Sequence, residues 1–436
     1  MEVLRDRALY TNTIINYGAR AIFYILSFLA VPLALGYLGK EKFGVFQTVI
    51  TFLTLASLAN LGVNNGLRNK ISEYIGENKN LELRSIIGTA LLLSLFLSVV
   101  LFISGTVFFI YFFKPSFFLK DYTIYSTEIN KSIYILFCFF CANIFFGLMS
   151  SISFGLHKSY LVTLSQVFHV SLYFILLIFL VNYNSDSSLV YVSFCYGVTM
   201  ILSQIAIFFK LRKVTEVWPP IFKSCKKYAR KLFSVSFGFF ILQLSTVILF
   251  SADNFILSRL LGPVEVAEYS IAYKLFFMII TIFSITLIQV WNSTTDAAAR
   301  GDFLWIKNTV KRLNYLLIPV FFIVFTMGLS LNYIVELWIG EDFNFLLEFR
   351  ILFSVYVLVH CSNAIYVNIL NGLGRLKMQT ISYLIAAIMN CLFSYFFIVV
   401  CNFSVTGILY SKIICIIFTS TVCFYDYTRF VREKIA

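Results

Sequence analysis

The chain has 436 residues, 60% of them hydrophobic and only 13% charged, with a formal net charge of +13. A soluble domain runs at about 45–50% apolar and about 25% charged residues, so this composition excludes a water-soluble enzyme. Apolar runs of 20 or more residues recur along the whole length, which calls for transmembrane helices rather than a barrel, whose strands give short alternating segments.

The first charged stretch, Met1–Arg7, is followed by an apolar run too long for a signal peptide and without a small-residue cleavage site, so the run is read as the first span. Twelve spans are predicted, near residues 13–35, 43–65, 86–112, 132–155, 160–182, 188–210, 233–257, 266–291, 313–334, 348–371, 378–400 and 404–426. An even number puts both termini on one side. Roughly 24 of the Lys and Arg residues fall in the segments on the side of the termini. The opposite loops hold only Lys40, Lys42, Lys114, Lys120, Lys131, Arg259 and Arg350. The positive-inside rule therefore makes both termini cytoplasmic. The positive charge is explained by topology, and no nucleic-acid partner is expected.

The longest cytoplasmic connection is basic and contains Trp218-Pro219-Pro220. It divides the chain into an N-terminal six-helix half (1–212), a linker (213–232) and a C-terminal six-helix half (233–436). The halves read as copies. Leu38-Gly39 followed by Gly44-Val45-Phe46 matches Leu261-Gly262 followed by Ala267-Glu268-Tyr269, an offset of 223 between Gly39 and Gly262. Gly155-Leu156-His157-Lys158 matches Gly372-Leu373-Gly374-Arg375, an offset of 217. Six spans per copy make the repeats parallel, with a substrate path expected in a central cavity between the halves. The fold class is thus an all-α polytopic membrane protein of about twelve transmembrane helices in two parallel six-helix repeats.

Ionisable residues inside spans are costly and are functional candidates by default. Arg20 lies about seven residues into span one, roughly 10 Å deep, and either snorkels to headgroups or faces a cavity. Lys274 in span eight is either salt-bridged to Asp253 across the hairpin or faces the cavity. Lys412 in span twelve is left between snorkelling and a cavity role. Asp253 is the one carboxylate clearly inside a span, with a pairing or helix-end role set against ion coupling. His360, near the middle of span ten, is read as neutral and hydrogen-bonded or as proton-coupling, and His169 likewise. At an offset of 223 Arg20 faces Gln243 and Lys274 faces Thr51, so these charges do not follow the repeat. Interior charge is mainly cationic, which suits an anionic substrate such as a phosphate.

Tyr17, Tyr24 and Tyr273 could stack on sugars or simply pack. Cys138-x-x-Cys141 is one helical turn without a second ligand pair and reads as packing. The sequence holds no Walker A loop, nucleophile elbow or metal-ligand cluster, so neither a cofactor nor an enzyme activity is expected.

The run Leu61-Gly62-Val63-Asn64-Asn65-Gly66-Leu67-Arg68-Asn69-Lys70-Ile71-Ser72-Glu73 resembles a signature of bacterial O-antigen flippases. So does Asp253-Asn254 leading to Leu261-Gly262 and Tyr269-Ser270-x-Ala272-Tyr273-Lys274. These proteins form the polysaccharide-transporter branch of the multidrug/oligosaccharidyl-lipid/polysaccharide exporter superfamily, and the resemblance covers essentially the whole chain. It implies a flippase that moves an undecaprenyl-pyrophosphate-linked O-antigen oligosaccharide from the cytoplasmic to the periplasmic leaflet of the bacterial inner membrane. Alternating access would move it, and other O-antigen assembly proteins would be partners. By resemblance, basic residues of spans one and eight line the cavity, which nominates Arg20 and Lys274. Arg68 is a further, loop-edge contact for the pyrophosphate. A drug/cation antiporter on the same fold is the alternative, but it would need interior carboxylates facing its substrate. A membrane glycosyltransferase or polymerase would need a large outer loop, and no outer loop exceeds about 20 residues.

Overall fold

The computed structural model describes residues 2–56, 62–76, 79–112, 126–156, 158–183, 188–214, 220–222, 225–299, 301–341 and 343–435. The chain divides into two compact units, Met1–Gln243 and Leu244–Ala436.

In the first unit, α1 (Glu2–Ala56) is followed by α2 (Val63–Gly76), α3 (Asn80–Tyr111), α4 (Ser126–Phe146) and α5 (Leu148–Gly155). Then come α6 (Ser159–Tyr183), α7 (Leu189–Val214) and most of α8 (Cys225–Ser251). The second unit holds α9 (Asp253–Leu260), α10 (Pro263–Ala299), α11 (Phe303–Leu329), α12 (Leu331–Ile339) and α13 (Leu347–Gly372). It ends with α14 (Lys377–Tyr395), a π-helical turn (Phe396–Val400) and α15 (Thr406–Ile435).

Among the described residues, ten helices are long and apolar enough to cross a membrane. The expected span 13–35 and residues 43–56 of the expected span 43–65 fall on α1, and residues 63–65 begin α2. A straight 55-residue helix would be about 80 Å long, far more than the ~30 Å hydrocarbon core. α1 is instead broken at Gly39 (φ 73°, ψ 167°), a conformation that only glycine adopts readily. The expected span 233–257 falls on α8 and α9, which meet at Ala252. The twelve-span reading is therefore approximately matched. Residues 57–61 at the end of span two lie outside the described residues, as do His157 and residues 215–219, with Trp218 and Pro219, and 223–224 of the linker.

The helix surfaces explain the composition. α3 exposes Leu95, Phe96, Val99 and Ile103, and α11 exposes Leu316, Ile318, Phe322 and Ile323. Such apolar outer faces fit lipid as solvent. Without a hydrophobic drive between helices in lipid, polar bonds and close backbone approach hold helices together. Accordingly Ser94 and Ser98 of α3 donate to the carbonyls of Ile144 and Cys141 on α4, at 2.7 and 2.6 Å. In the second unit Ser354 of α13 donates to the carbonyl of Val324 on α11.

The duplication is visible in backbone detail. Gly262 has φ 137°, so the matched glycines Gly39 and Gly262 both stand where other residues rarely do. At the second matched pair, a Cβ on Gly155 would lie 2.7 Å from Ile71 and 3.0 Å from the Arg68 carbonyl. A Cβ on Gly372 would lie 2.8 Å from Thr294 and 2.9 Å from the Trp291 carbonyl. Arg68 and Ile71 match Trp291 and Thr294 at the same offset of 223 that relates Gly39 to Gly262. The same close helix crossing, α5 on α2 and α13 on α10, has been built twice.

Candidate functional site

The second unit carries a buried charge cluster. The chain leaves α8 at Ala252 and re-enters a helix at Asp253, so this carboxylate sits in the first turn of α9, where a helix N-terminus favours negative charge. α9 ends at the Leu261-Gly262 turn, and Pro263 opens α10, a position that needs no backbone N–H. The hairpin folds α10 back along α9. The Tyr269 hydroxyl donates to Asp253 Oδ2 at 2.5 Å, and the Ser270 hydroxyl donates to Asn254 at 3.2 Å.

The same Asp253 oxygen forms an ion pair with Lys412 Nζ of α15. Lys412 is fully buried, with 0% of its surface exposed. Its ammonium lies 3.4 Å from the Tyr269 hydroxyl oxygen, and it faces the rings of Tyr356 at 5.0 Å and Tyr273 at 5.6 Å. The other Asp253 oxygen, Oδ1, is buried without a hydrogen-bond partner.

Two aromatic stripes frame the pair. On α10, Tyr269, Tyr273 and Phe277 recur every fourth residue and stack at 5.9 and 5.3 Å. On α13, Phe349, Phe353, Tyr356 and His360 follow the 3–4 spacing of one helix face. Phe353 stacks on Phe276 at 4.9 Å and meets Tyr269 at 5.5 Å. His360 lies edge-on to Phe250 at 5.1 Å and 6.0 Å from Tyr356, and its Nδ1 is buried with no hydrogen bond. An aromatic shelf beside a lone ammonium and carboxylate strengthens their attraction by excluding water, and the ring faces themselves attract the cation.

The structure thus brings Asp253, Lys412 and His360 into one neighbourhood. It corrects one pairing: the partner of Asp253 is Lys412, not Lys274. Lys274 comes five residues after Tyr269, about 140° further round α10, and so leaves the face that meets Asp253. Lys274 is half-buried. Lys412 does not snorkel, because its ammonium is enclosed and paired. Arg20 is half-buried on α1, and Arg68 is exposed on α2 with its guanidinium 4.9 Å over the Phe154 ring of α5. Arg20 and Arg68 belong to the first unit, Lys274 to the second. The Tyr17 side chain lies outside the described residues. Cys141 is buried in a small core with Phe140 and Ile144. Sequence reasoning passed over Tyr356 and Phe353, and the 3–4 aromatic period of α13 was the signal that could have found them.

The fold is that of a polytopic α-helical membrane protein, with ten helices among the described residues long and apolar enough to cross a membrane. The fold is similar to that of a multidrug resistance MATE family transporter of the MOP superfamily solved in an inward-facing conformation, with TM-score 0.76 at 15% identity over 97% of this chain and 98% of that one. The outward-facing form of such a transporter gives 0.66 at 15% identity, over 97% and 94%. A MOP superfamily transporter from Pyrococcus furiosus, described as having a binding pocket of reverse polarity, gives 0.62 at 14% identity, over 98% and 95%. The chain belongs to the family described as polysaccharide biosynthesis protein, whose model matches residues 9–291. It is similar to a putative O-antigen export protein of Yersinia pseudotuberculosis, 24% identical over 86% of this chain and 85% of the relative. It is also similar to a putative O-antigen transporter of Salmonella typhi, 25% identical over 88% of each.

Proposed function

We propose that the protein is a flippase that carries an undecaprenyl-pyrophosphate-linked O-antigen oligosaccharide from the cytoplasmic to the periplasmic leaflet of the bacterial inner membrane. The observation that carries this reading is the similarity to O-antigen export proteins across both repeats, 86–88% of the chain. The chemistry agrees. A glycan with a pyrophosphate cannot cross about 30 Å of hydrocarbon unaided, whereas a prenyl tail can remain in lipid while the head moves through a wet path. No bond is made or broken, so the protein's task is binding and conformational change.

In this reading the half-buried Arg20 and Lys274, together with the exposed Arg68, meet the pyrophosphate. Both termini face the cytoplasm by the positive-inside rule. A drug/cation antiporter would need an interior carboxylate free to meet its substrate, but Asp253 is occupied by Lys412 and Tyr269. The test is a deletion strain scored for surface glycan and for the leaflet in which its lipid-linked precursor accumulates. Precursor trapped in the cytoplasmic leaflet supports the reading. Intact export in a strain with no second flippase overturns it, and altered drug susceptibility with unchanged glycan supports the antiporter.

A further inference from the structure

The charge cluster of the second unit has no equivalent at the matching place in the first. At the 223-residue offset Asp253 matches Ala30 and Tyr269 matches Phe46, both of them buried. Phe46 instead meets Tyr196 at 5.7 Å, in a cluster completed by His169 at 5.0 Å and Tyr173 at 5.4 Å from Tyr196. The six-helix scaffold therefore forms with aromatic rings alone at this position. A buried ion pair is also a poor device for stability, because stripping water from both charges offsets much of their attraction. The Asp253–Lys412 pair calls for a reason beyond the scaffold.

What surrounds Lys412 Nζ is a set of groups that attract a monovalent cation. It comprises one carboxylate oxygen, one phenol oxygen at 3.4 Å and two ring faces at 5.0 and 5.6 Å. The carboxylate keeps a second oxygen, Asp253 Oδ1, buried and without a hydrogen bond. An enclosed carboxylate with a spare oxygen needs a positive charge. Here the chain supplies that charge itself, through a side chain with no exposed surface.

We propose that Lys412 is a built-in cation. Its ammonium occupies the place where Asp253 would otherwise take up an alkali cation from solution. The second unit then neither needs nor binds such an ion at Asp253, and removal of the lysine ammonium turns the cluster into a sodium or lithium site. Lys412 is thereby assigned to Asp253 and withdrawn from substrate contact. The inference rests on the Asp253 geometry alone and stands whatever solute the protein carries.

The test is thermal unfolding of the purified full-length protein in nanodiscs, at fixed pH and ionic strength, in sodium, lithium or choline chloride. The wild type is expected to unfold at the same temperature in all three salts. Lys412→Ala is expected to unfold earlier in choline chloride and to recover in sodium or lithium, and Asp253→Asn/Lys412→Ala to lose that recovery. The proposal is overturned by a sodium- or lithium-specific stabilisation of the wild type that Asp253→Asn abolishes. It is equally overturned by a folded Lys412→Ala that responds to no alkali cation. Should Lys412→Ala not fold, Asp253→Asn decides. The stranded ammonium is expected to lower its unfolding temperature, and Asp253→Asn/Lys412→Met to regain most of the loss. Asp253→Asn as stable as the wild type would reject the proposal.

Discussion

The Tyr269 hydroxyl hydrogen-bonds at 2.5 Å to Asp253 through the same carboxylate oxygen that the Lys412 ammonium meets. One oxygen thus holds two partners from two helices, α10 and α15. Tyr269→Phe removes the hydrogen bond and keeps the ring. A hydrogen bond to a charged group contributes about 1.5–3 kcal/mol, so a loss of that order is expected in thermal or denaturant unfolding. Tyr273→Phe, which keeps the ring face toward the ammonium, is expected to change stability little. Equal losses in the two variants would remove the hydrogen bond from the account.

The duplicated helix crossing makes a paired prediction. Gly155→Ala and Gly372→Ala each put a methyl group 2.7–2.9 Å from atoms of Ile71, or of Thr294 and Trp291. Overpacking of this kind costs about 1–3 kcal/mol. Both variants are expected to unfold at lower temperature and to accumulate poorly in the membrane. Gly36→Ala, whose Cβ would meet nothing within 4 Å, is the control and is expected to match the wild type.

Gly39 is constrained by backbone conformation alone, since a Cβ there would meet nothing within 4 Å, and Gly262 by backbone conformation together with the Glu265 side chain, 3.2 Å from its Cβ position. Their φ values of 73° and 137° are rarely adopted by other residues. Strain of about 1–3 kcal/mol is expected from alanine at either site. Because Gly39 separates the two arms of α1, membrane insertion monitored by cysteine labelling of the outer loop should be impaired most at that position. Normal insertion and stability of both alanine variants would show that the turns tolerate a side chain.

In the turn between α13 and α14, Arg375 donates two hydrogen bonds to Asp426 of α15, at 2.7 and 3.2 Å, and its guanidinium lies 5.3 Å from the Phe430 ring. Asp426 is nearly buried, whereas Arg375 is about one-third exposed. Arg375→Ala leaves a buried carboxylate without its charge partner, which costs up to about 3 kcal/mol after solvent screening of the exposed side. Asp426→Asn, which keeps an acceptor, is expected to cost less. The order of the two unfolding temperatures checks this, and the reverse order would rule it out.

The proposed pyrophosphate contacts separate from these stability sites by their readout. Arg20→Ala and Lys274→Ala are each expected to lower surface glycan about ten-fold or more at unchanged protein level, as loss of a charged hydrogen bond would. Arg20→Lys and Lys274→Arg should retain part of the activity. Undiminished export in both alanine variants would remove these residues from the substrate path.

The amino-acid sequence by itself determined the class, the span pattern and the repeat. Lipid demands about 20 apolar residues per helix, and this requirement is written linearly, so spans such as 160–182 and 348–371 fall within α6 and α13 to within a residue or two. The repeat was legible because glycines at turns and close crossings have no substitute, and Gly39 and Gly155 match Gly262 and Gly372 at the nearly equal offsets of 223 and 217. Asp253 stood out as a charge in an apolar run, for the same reason of cost. Its partner did not. Lys274 is the lysine nearest to it across the hairpin, but helical rotation carries that side chain off the shared face. Lys412 is brought to Asp253 by the packing of α15 with α13, α13 with α10 and α10 with α9. Which cation meets which anion depends on rotation about each helix axis and on contacts between helices distant in the chain. Only the tertiary structure decided that.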